Sequence, residues 1–362
     1  MPGPLKRFDL APERPPPDVV HVVAGADAGP DEHTGDWHPT RLGQSGAYPN
    51  GGIWRYDRML SDGSVRTCFL KRTGPRFLGG DPMWANALDR DDPNWWGREA
   101  AFYESGLAVD GWTDEVSAAR CLTVADGPGH TRDVWLELVE MESPTLEVCR
   151  AVVASLAAWQ VAHRQADDAV LSIGWVSTHL ARRRLDNART LAGAGWDVAQ
   201  ARGLDPIVRD WVPRRLTDPG RVAAVLASFP QALTHFDLHP QNLGRRVDGT
   251  WAILDWAYVG WGAIGQDVGQ LAIDAWSNGD VASTPAELLD DLLESYLDAL
   301  RAAGDKTPVD LVVDSVITTL VIRHGWVVDH ALALAGRLSD EEWARQAPVL
   351  ELIARLGVAT AR

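Results

Sequence analysis

The sequence predicts an α+β chain in two lobes, an antiparallel sheet followed by a mostly helical half. Three observations carry that expectation. Asp62-Gly63 and Asp248-Gly249 each separate two short runs of alternating or apolar residues. That is the strongest local hairpin signal, because a two-residue type I′ turn needs positive φ at both central positions. Glycine-rich, strand-like patterning runs from Val19 to about Leu70, strand pattern returns at Ala118–Val124 and Asp133–Val139, and helical periodicity takes over from Glu147. The implied organisation is an extended or disordered arm over 1–20, a sheet lobe over 21–140 and a helical lobe over 141–362. Residues 166–230, roughly, form a helical insertion within the last.

The arm is set by Pro2, Pro4, Pro12 and Pro15–Pro17, which leave no periodicity for a regular element. Between Arg41 and Trp54 the glycines Gly43, Gly46, Gly51 and Gly52 allow a backbone to approach a ligand closely. Ile53–Leu60 and Ser64–Lys71 read as the strands of the first hairpin, with Val65, Thr67, Phe69 and Lys71 on one face. Lysine occurs only at positions 6, 71 and 306 in a chain that otherwise uses arginine. A lone lysine closing a strand suits a site that needs a compact ammonium. A helix is expected to start at Asp92-Pro93 and run to Gly106, with Glu99 as the partner of Lys71 and Glu104 as its rival. Strands at Ala118–Val124 and Asp133–Val139 then lead to a break at Glu142-Ser-Pro144.

In the second half, helices are expected at 147–165, 285–303, 309–335 and 340–356. His163 falls on a core face. Glu287, Asp290, Asp291, Glu294 and Asp298 make a dense acidic set, either a solvated helix face or the wall of a pocket. The most informative stretch is His235 to Gly262, H-F-D-L-H-P-Q-N-L-G-R-R-V-D-G-T-W-A-I-L-D-W-A-Y-V-G-W-G. Asp237 and Asn242 have the D-x-x-x-x-N spacing of a phosphoryl-transfer catalytic loop. A two-residue turn at Asp248-Gly249 would set Asn242 directly opposite Asp255. An amide oxygen and a carboxylate at one hairpin mouth suit a hard cation such as Mg²⁺, leaving Asp237 free as a base. Two rivals are turn and cap chemistry, and a zinc site built on His235, Asp237 and His239 that lacks further ligands nearby.

Composition narrows the partners. A net charge of −16 argues against a nucleic-acid-binding surface. Three scattered cysteines, Cys68, Cys121 and Cys149, match no metal spacing and suit a reduced compartment. The N-terminus has no apolar signal region and nothing approaches a membrane-spanning run, so the expectation is a cytoplasmic protein without a membrane partner.

With these residues placed, the chain resembles the aminoglycoside phosphotransferase and choline-kinase branch of the protein-kinase-like fold, over roughly residues 40–300. The family pattern H-G-D-L-H-x-x-N, I-D-W/F, G-x-x-x-x-D-L reads here as H-F-D-L-H-P-Q-N, I-L-D-W, G-A-I-G-Q-D-V. The resemblance implies a bilobal fold with Asp237 as catalytic base, and Asn242 and Asp255 as Mg²⁺ ligands. His235 and Asp267 would support the catalytic loop. Lys71 and Glu99 would hold nucleotide phosphates, with Gly43 and Gly46 in the covering loop and Glu137–Val139 as adenine hinge. Ala257 stands where the family often has an acidic residue. Phe236 replaces a small residue and would lie in the acceptor's path. The implied activity is transfer from ATP or GTP, with Mg²⁺, to a hydroxyl of a small molecule, an aminoglycoside or another antibiotic or metabolite. The alternatives are a dedicated peptide or protein kinase of a biosynthetic pathway and a nucleotide-binding pseudokinase.

Overall fold

A computed structural model describes residues 11–24, 36–42, 50–60, 63–75, 82–166 and 171–360. Gly43 and Gly46, and with them the expected phosphate-covering loop, lie outside the described residues.

The first lobe is one antiparallel sheet of β1 (His38–Leu42), β2 (Asn50–Met59), β3 (Val65–Thr73), β5 (Cys121–Gly127) and β6 (Thr131–Leu136), in the order β1-β2-β3-β6-β5. The strand expected over Ala118–Val124 is split. Its start, β4 (Val116–Ala118), leaves this sheet and pairs in parallel with β10 (Trp251–Ile253), which also pairs with β9 (Leu243–Arg245). The two lobes are therefore stitched by backbone. A further bridge joins Glu140 to Arg245, each N–H donating to the other's carbonyl at 2.8 Å.

The arm is not extended throughout. Pro17–Ala24 form a helix, α1, whose Val19 and Val20 pack with Trp54, Tyr56, Cys68, Leu70 and Trp135 on the outer face of the sheet. The prolines that suggested an open arm lie mostly before it, and Pro17 suits a first turn because its missing N–H costs nothing there. Tyr56 Oη donates to the Pro12 carbonyl at 2.8 Å, which ties the preceding residues down as well.

The expected helix at Asp92 starts six residues late, as α2 (Arg98–Glu104). Asp92 instead forms a turn: its side chain accepts from Asn94 N and its carbonyl from Trp95 N, and Arg182 closes on its carboxylate at 2.9 and 3.0 Å.

The second lobe contains α3 (Leu146–Ala162), then β7 (Ser172–Ile173) and a run of short helices: α4 (Trp175–Arg183), α5 (Asn187–Ala192), α6 (Gly195–Ala201), α7 (Ile207–Trp211) and α8 (Pro219–Ala227). These helices occupy the stretch expected to form a helical insertion. After it come β8 (Gln231–Thr234), β9, β10 and β11 (Gly260–Ala263), with β11 antiparallel to β8. The chain ends in α9 (Gln266–Ser277), α10 (Pro285–Ala302), α11 (Val309–His324), α12 (Val327–Leu334) and α13 (Asp340–Thr360). The single helix expected over 309–335 is broken at Gly325-Trp326. Among the described residues no single helix is long and apolar enough to cross a membrane. Only the bent α11–α12 pair passes by length and composition, and Val312, Val316, Leu320 and Val328 of that pair are buried in the core.

The main core lies under the sheet. Phe102 of α2 stacks on Trp256 at 4.4 Å and Trp112 on Trp159 at 5.0 Å, so indoles fill the space between α2, α3 and the loop after β10. The acidic set on α10 faces outward. Glu287 completes a capping box with Thr284, Asp291 pairs with Arg150, and Asp298 with Arg301.

Candidate active site

The chain turns a hairpin at Gly249 and another at Gly63, each closed with one residue more than a type I′ turn uses. Arg246 N donates to Thr250 O, which leaves Val247, Asp248 and Gly249 in the loop. Only Gly249, at φ 90°, is left-handed, and Asp248 instead accepts from Thr250 N at 3.0 Å. Leu60 N likewise donates to Ser64 O around Gly63 at φ 84°. The extra residue shifts the register by one: Asn242 faces Leu254, whose N–H it accepts at 2.8 Å, and Asp255 comes one residue later. Asp255 still reaches the cleft, because its own backbone turns left-handed at φ 59°.

The residues of the expected catalytic loop are braced from behind. Asp267, at the start of α9, accepts from His235 N at 2.7 Å and Phe236 N at 3.0 Å. Burial lifts its carboxyl to about 6 against the pull of those two N–H groups. His235 is fully buried. Its Nε2 bonds the Leu254 carbonyl at 2.8 Å, and its Nδ1 accepts from Asp237 N at 3.2 Å. Burial holds it neutral, with a pKa of about 4. With both ring nitrogens used, His235 has none left for a metal, and the zinc reading fails. Among the described residues no cluster of three or more His, Cys, Asp or Glu could hold an ion.

Asp237 points into the cleft. His239 Nε2 lies 3.6 Å from Oδ2 and Arg323 Nη2 4.0 Å from Oδ1. Burial would raise this carboxyl, but His239, with Arg323 behind it, outweighs burial and holds it at about 2. Asn242 Nδ2 donates to the Asp237 carbonyl at 2.8 Å, so the amide nitrogen is committed to the loop.

Across the cleft, Lys71 Nζ lies 2.7 Å from Glu99 Oε2 and 2.6 Å from Asp255 Oδ1. Burial alone would depress this ammonium; Asp255 and Glu99 together more than reverse that and keep it charged. Burial pushes Glu99 up while Lys71 pulls it down. Burial is the larger of the two influences and leaves the Glu99 carboxyl raised, while the 2.7 Å contact ties it to the Lys71 ammonium. Glu104 is exposed and engages Arg132, so the rival partner is excluded. Lys71, Glu99, Asp237, Asn242 and Asp255 all line one cavity of about 400 Å³.

Glu137, Val139 and Phe236 are not among the residues that line it. Glu137 is occupied: its side chain accepts from Arg246 Nε at 2.8 Å and Arg120 N at 2.7 Å, and its N–H donates to the Arg120 carbonyl. Val139 is buried against Gly244, where a Cβ would lie 2.8 Å from its side chain. Phe236 does not obstruct an acceptor. It is 1% exposed, points inward, and stacks on Trp175 at 5.5 Å, although φ 65° places it where glycine is favoured.

Sequence reasoning missed a second cavity of about 390 Å³ that meets the first at Trp84, Asp237 and His239. Its further residues include Trp175, His179, Asp274, Arg323 and Trp326. The only local sign of them was the i, i+4 pair Trp175/His179 on an amphipathic helix.

Fold and site together define a kinase-like phosphotransferase. The family comparison agrees: a model described as the phosphotransferase enzyme family APH matches residues 109–306. The chain belongs to that family, and is an enzyme of the small-molecule kinase type with an alcohol group as acceptor. A search of curated proteins found no match. Among solved structures, choline kinase from Cryptosporidium parvum Iowa II is 11% identical, with 90% of this chain and 91% of that one covered, at TM-score 0.50. Amicoumacin kinase hAmiN in complex with AMP-PNP, Ca²⁺ and Ami is 15% identical, with 88% of each chain covered, at TM-score 0.49. Macrolide 2′-phosphotransferase MphH from Brachybacterium faecium is 16% identical, with 88% and 95% covered, at TM-score 0.41. At 11% identity the likeness to the choline kinase speaks for the fold alone.

Proposed function

We propose that the chain transfers the γ-phosphoryl group of ATP or GTP to a hydroxyl of a small molecule, with Mg²⁺. The observation that carries this reading is the cleft itself. A charged lysine held by Glu99 stands on one side, a carboxylate base and an amide on the other, and Asp255 between them. Asp237 takes the acceptor's proton as its oxygen bonds to the γ-phosphorus, and the bond to the β–γ bridging oxygen breaks, leaving the nucleoside diphosphate. Lys71 neutralises phosphate oxygens in a site where positioning and electrostatics supply most of the rate.

The donor set suits Mg²⁺. Asn242 commits its nitrogen to the Asp237 carbonyl and keeps its oxygen, and the Asp255 side chain is 39% exposed toward the cleft. Both are hard oxygen donors that leave room for waters and phosphates. Bound there, the ion would neutralise charge on the β- and γ-oxygens. Gly43 and Gly46 would cover the phosphates, and the backbone at Glu137 and Val139 would meet the base.

Calorimetry of nucleotide binding tests the assignment. Asp255→Ala should remove the Mg²⁺-dependent part of the affinity while leaving the fold intact by circular dichroism. Binding as tight and as Mg²⁺-dependent as in the parent would overturn the metal site.

A further inference from the structure

The second cavity lies on the far side of Asp237 from the Lys71–Glu99 pair, and it is not built for a polycation. Besides the base, Asp274 is its single carboxylate, and burial raises that group to about 6. The acidic residues of α10 do not reach it. Two of its three tryptophan rings are also taken by the protein's own cations. Arg323 lies 4.3 Å over Trp175, whose ring also stacks on Phe236, and Arg183 lies 3.7 Å over Trp326. In a chain of net charge −16, this wall carries two guanidinium groups.

The same end holds buried polar atoms with no partner inside the protein: the donors Arg323 Nη1 and Trp175 Nε1, and the acceptor His179 Nε2. His179 Nδ1 is engaged with the Trp175 carbonyl at 2.9 Å, which leaves Nε2 as a bare lone pair. Burial first, and the neighbouring arginines after it, keep this imidazole neutral, at about 3. Two unsatisfied donors beside a second guanidinium fit the oxygens of a carboxylate, and the lone pair fits a hydroxyl or amide N–H beside it. Buried polar atoms of this kind are strongly disfavoured unless something pairs them.

We propose that the cavity binds an acceptor with an apolar or aromatic body and a single carboxylate, anchored by Arg323 and Arg183, which presents its hydroxyl at Asp237. This rests on the phosphotransfer reading for the fate of the hydroxyl, but the carboxylate site is testable by binding alone.

Three probes share a phenol and differ in charge: 3-(4-hydroxyphenyl)propanoate, its primary amide, and tyramine. Calorimetry with the full chain should show the carboxylate binding at least about tenfold tighter than the amide, and tyramine weakest. In Arg183→Gln and in Arg323→Gln that preference should shrink to about threefold or less. ATP·Mg²⁺ binding, measured on the same samples, reports separately on fold and nucleotide site, so failure of the kinase reading appears there and not in the probe ranking. Tyramine binding as well as the carboxylate, a preference that survives both substitutions, or no binding of any probe at millimolar concentration overturns the proposal.

Discussion

Lys71 Nζ and Asp255 Oδ1 are 2.6 Å apart across 184 residues of sequence, and Glu99 holds the same ammonium from the helix beneath. Removing the lysine leaves two carboxylates facing each other with no cation between them. Lys71→Met should therefore weaken nucleotide binding by about tenfold or more and lower the melting temperature, because an unpaired buried charge is costly. Lys71→Arg should not rescue affinity, since a planar fork cannot replace a point charge held between two carboxylates. Full affinity in the arginine variant would contradict that geometry.

Asp237 is expected to act on the acceptor and not on the nucleotide. Asp237→Asn should retain nucleotide affinity within about twofold while turnover falls by about 10²–10⁴, the range for loss of a general base. Parallel titration and single-turnover assays separate the two effects. Loss of nucleotide binding with no separate loss of turnover would move Asp237 out of the base role.

Phe236 sets two effects against each other. A non-glycine residue at φ 65° carries about 1–2 kcal/mol of backbone strain. Deleting a fully buried aromatic costs about 3–5 kcal/mol. Packing wins, so Phe236→Gly should be destabilised despite restoring the residue a left-handed turn prefers. Differential scanning calorimetry reads this directly, and a raised melting temperature would reverse the ranking.

Acidification has a defined sign. Burial holds His179 and His324 at about 3 and His235 at about 4, against about 6.5 in an unfolded chain. Between those values the unfolded chain binds the extra protons. The stability gained by keeping the rings neutral is complete above about pH 6.5 and is lost as pH falls toward 3–4. Asp267 and Asp274, raised to about 6, act oppositely: between about pH 6 and 4 the folded chain binds their protons, and stability rises as pH falls. Glu99 and His239 are raised as well and add to that opposing side. With three imidazoles held well below 6.5, the melting temperature should fall from pH 6.5 to 4.5, less steeply in His324→Gln. A flat or rising profile would show that the carboxyls dominate.

Much of the site was legible because it is local. Asp237, Asn242, Asp255 and Asp267 lie in one stretch where turn chemistry and residue spacing fix their order along the chain. Lys71 and Glu99 were legible for another reason: a lone lysine at a strand end asks for a carboxylate partner, and the following helix offers Glu99 or Glu104. Residue type alone carries no measure of how far each turn goes. Asp-Gly is compatible with a two- or a three-residue loop, and only the hydrogen bond from Arg246 to Thr250 decides for three, moving Asn242 opposite Leu254. At Phe236, a bulky residue in a glycine position suggested obstruction; the space beneath Trp175 turned it inward. By itself the sequence determined which candidate groups this protein offers for phosphoryl transfer, because local spacing and residue type are written in the chain. What faces Asp237 from the other side was decided by tertiary structure alone. Arg323, Trp175 and Asp274 come from three helices far apart in sequence, and only packing brings their side chains to one wall.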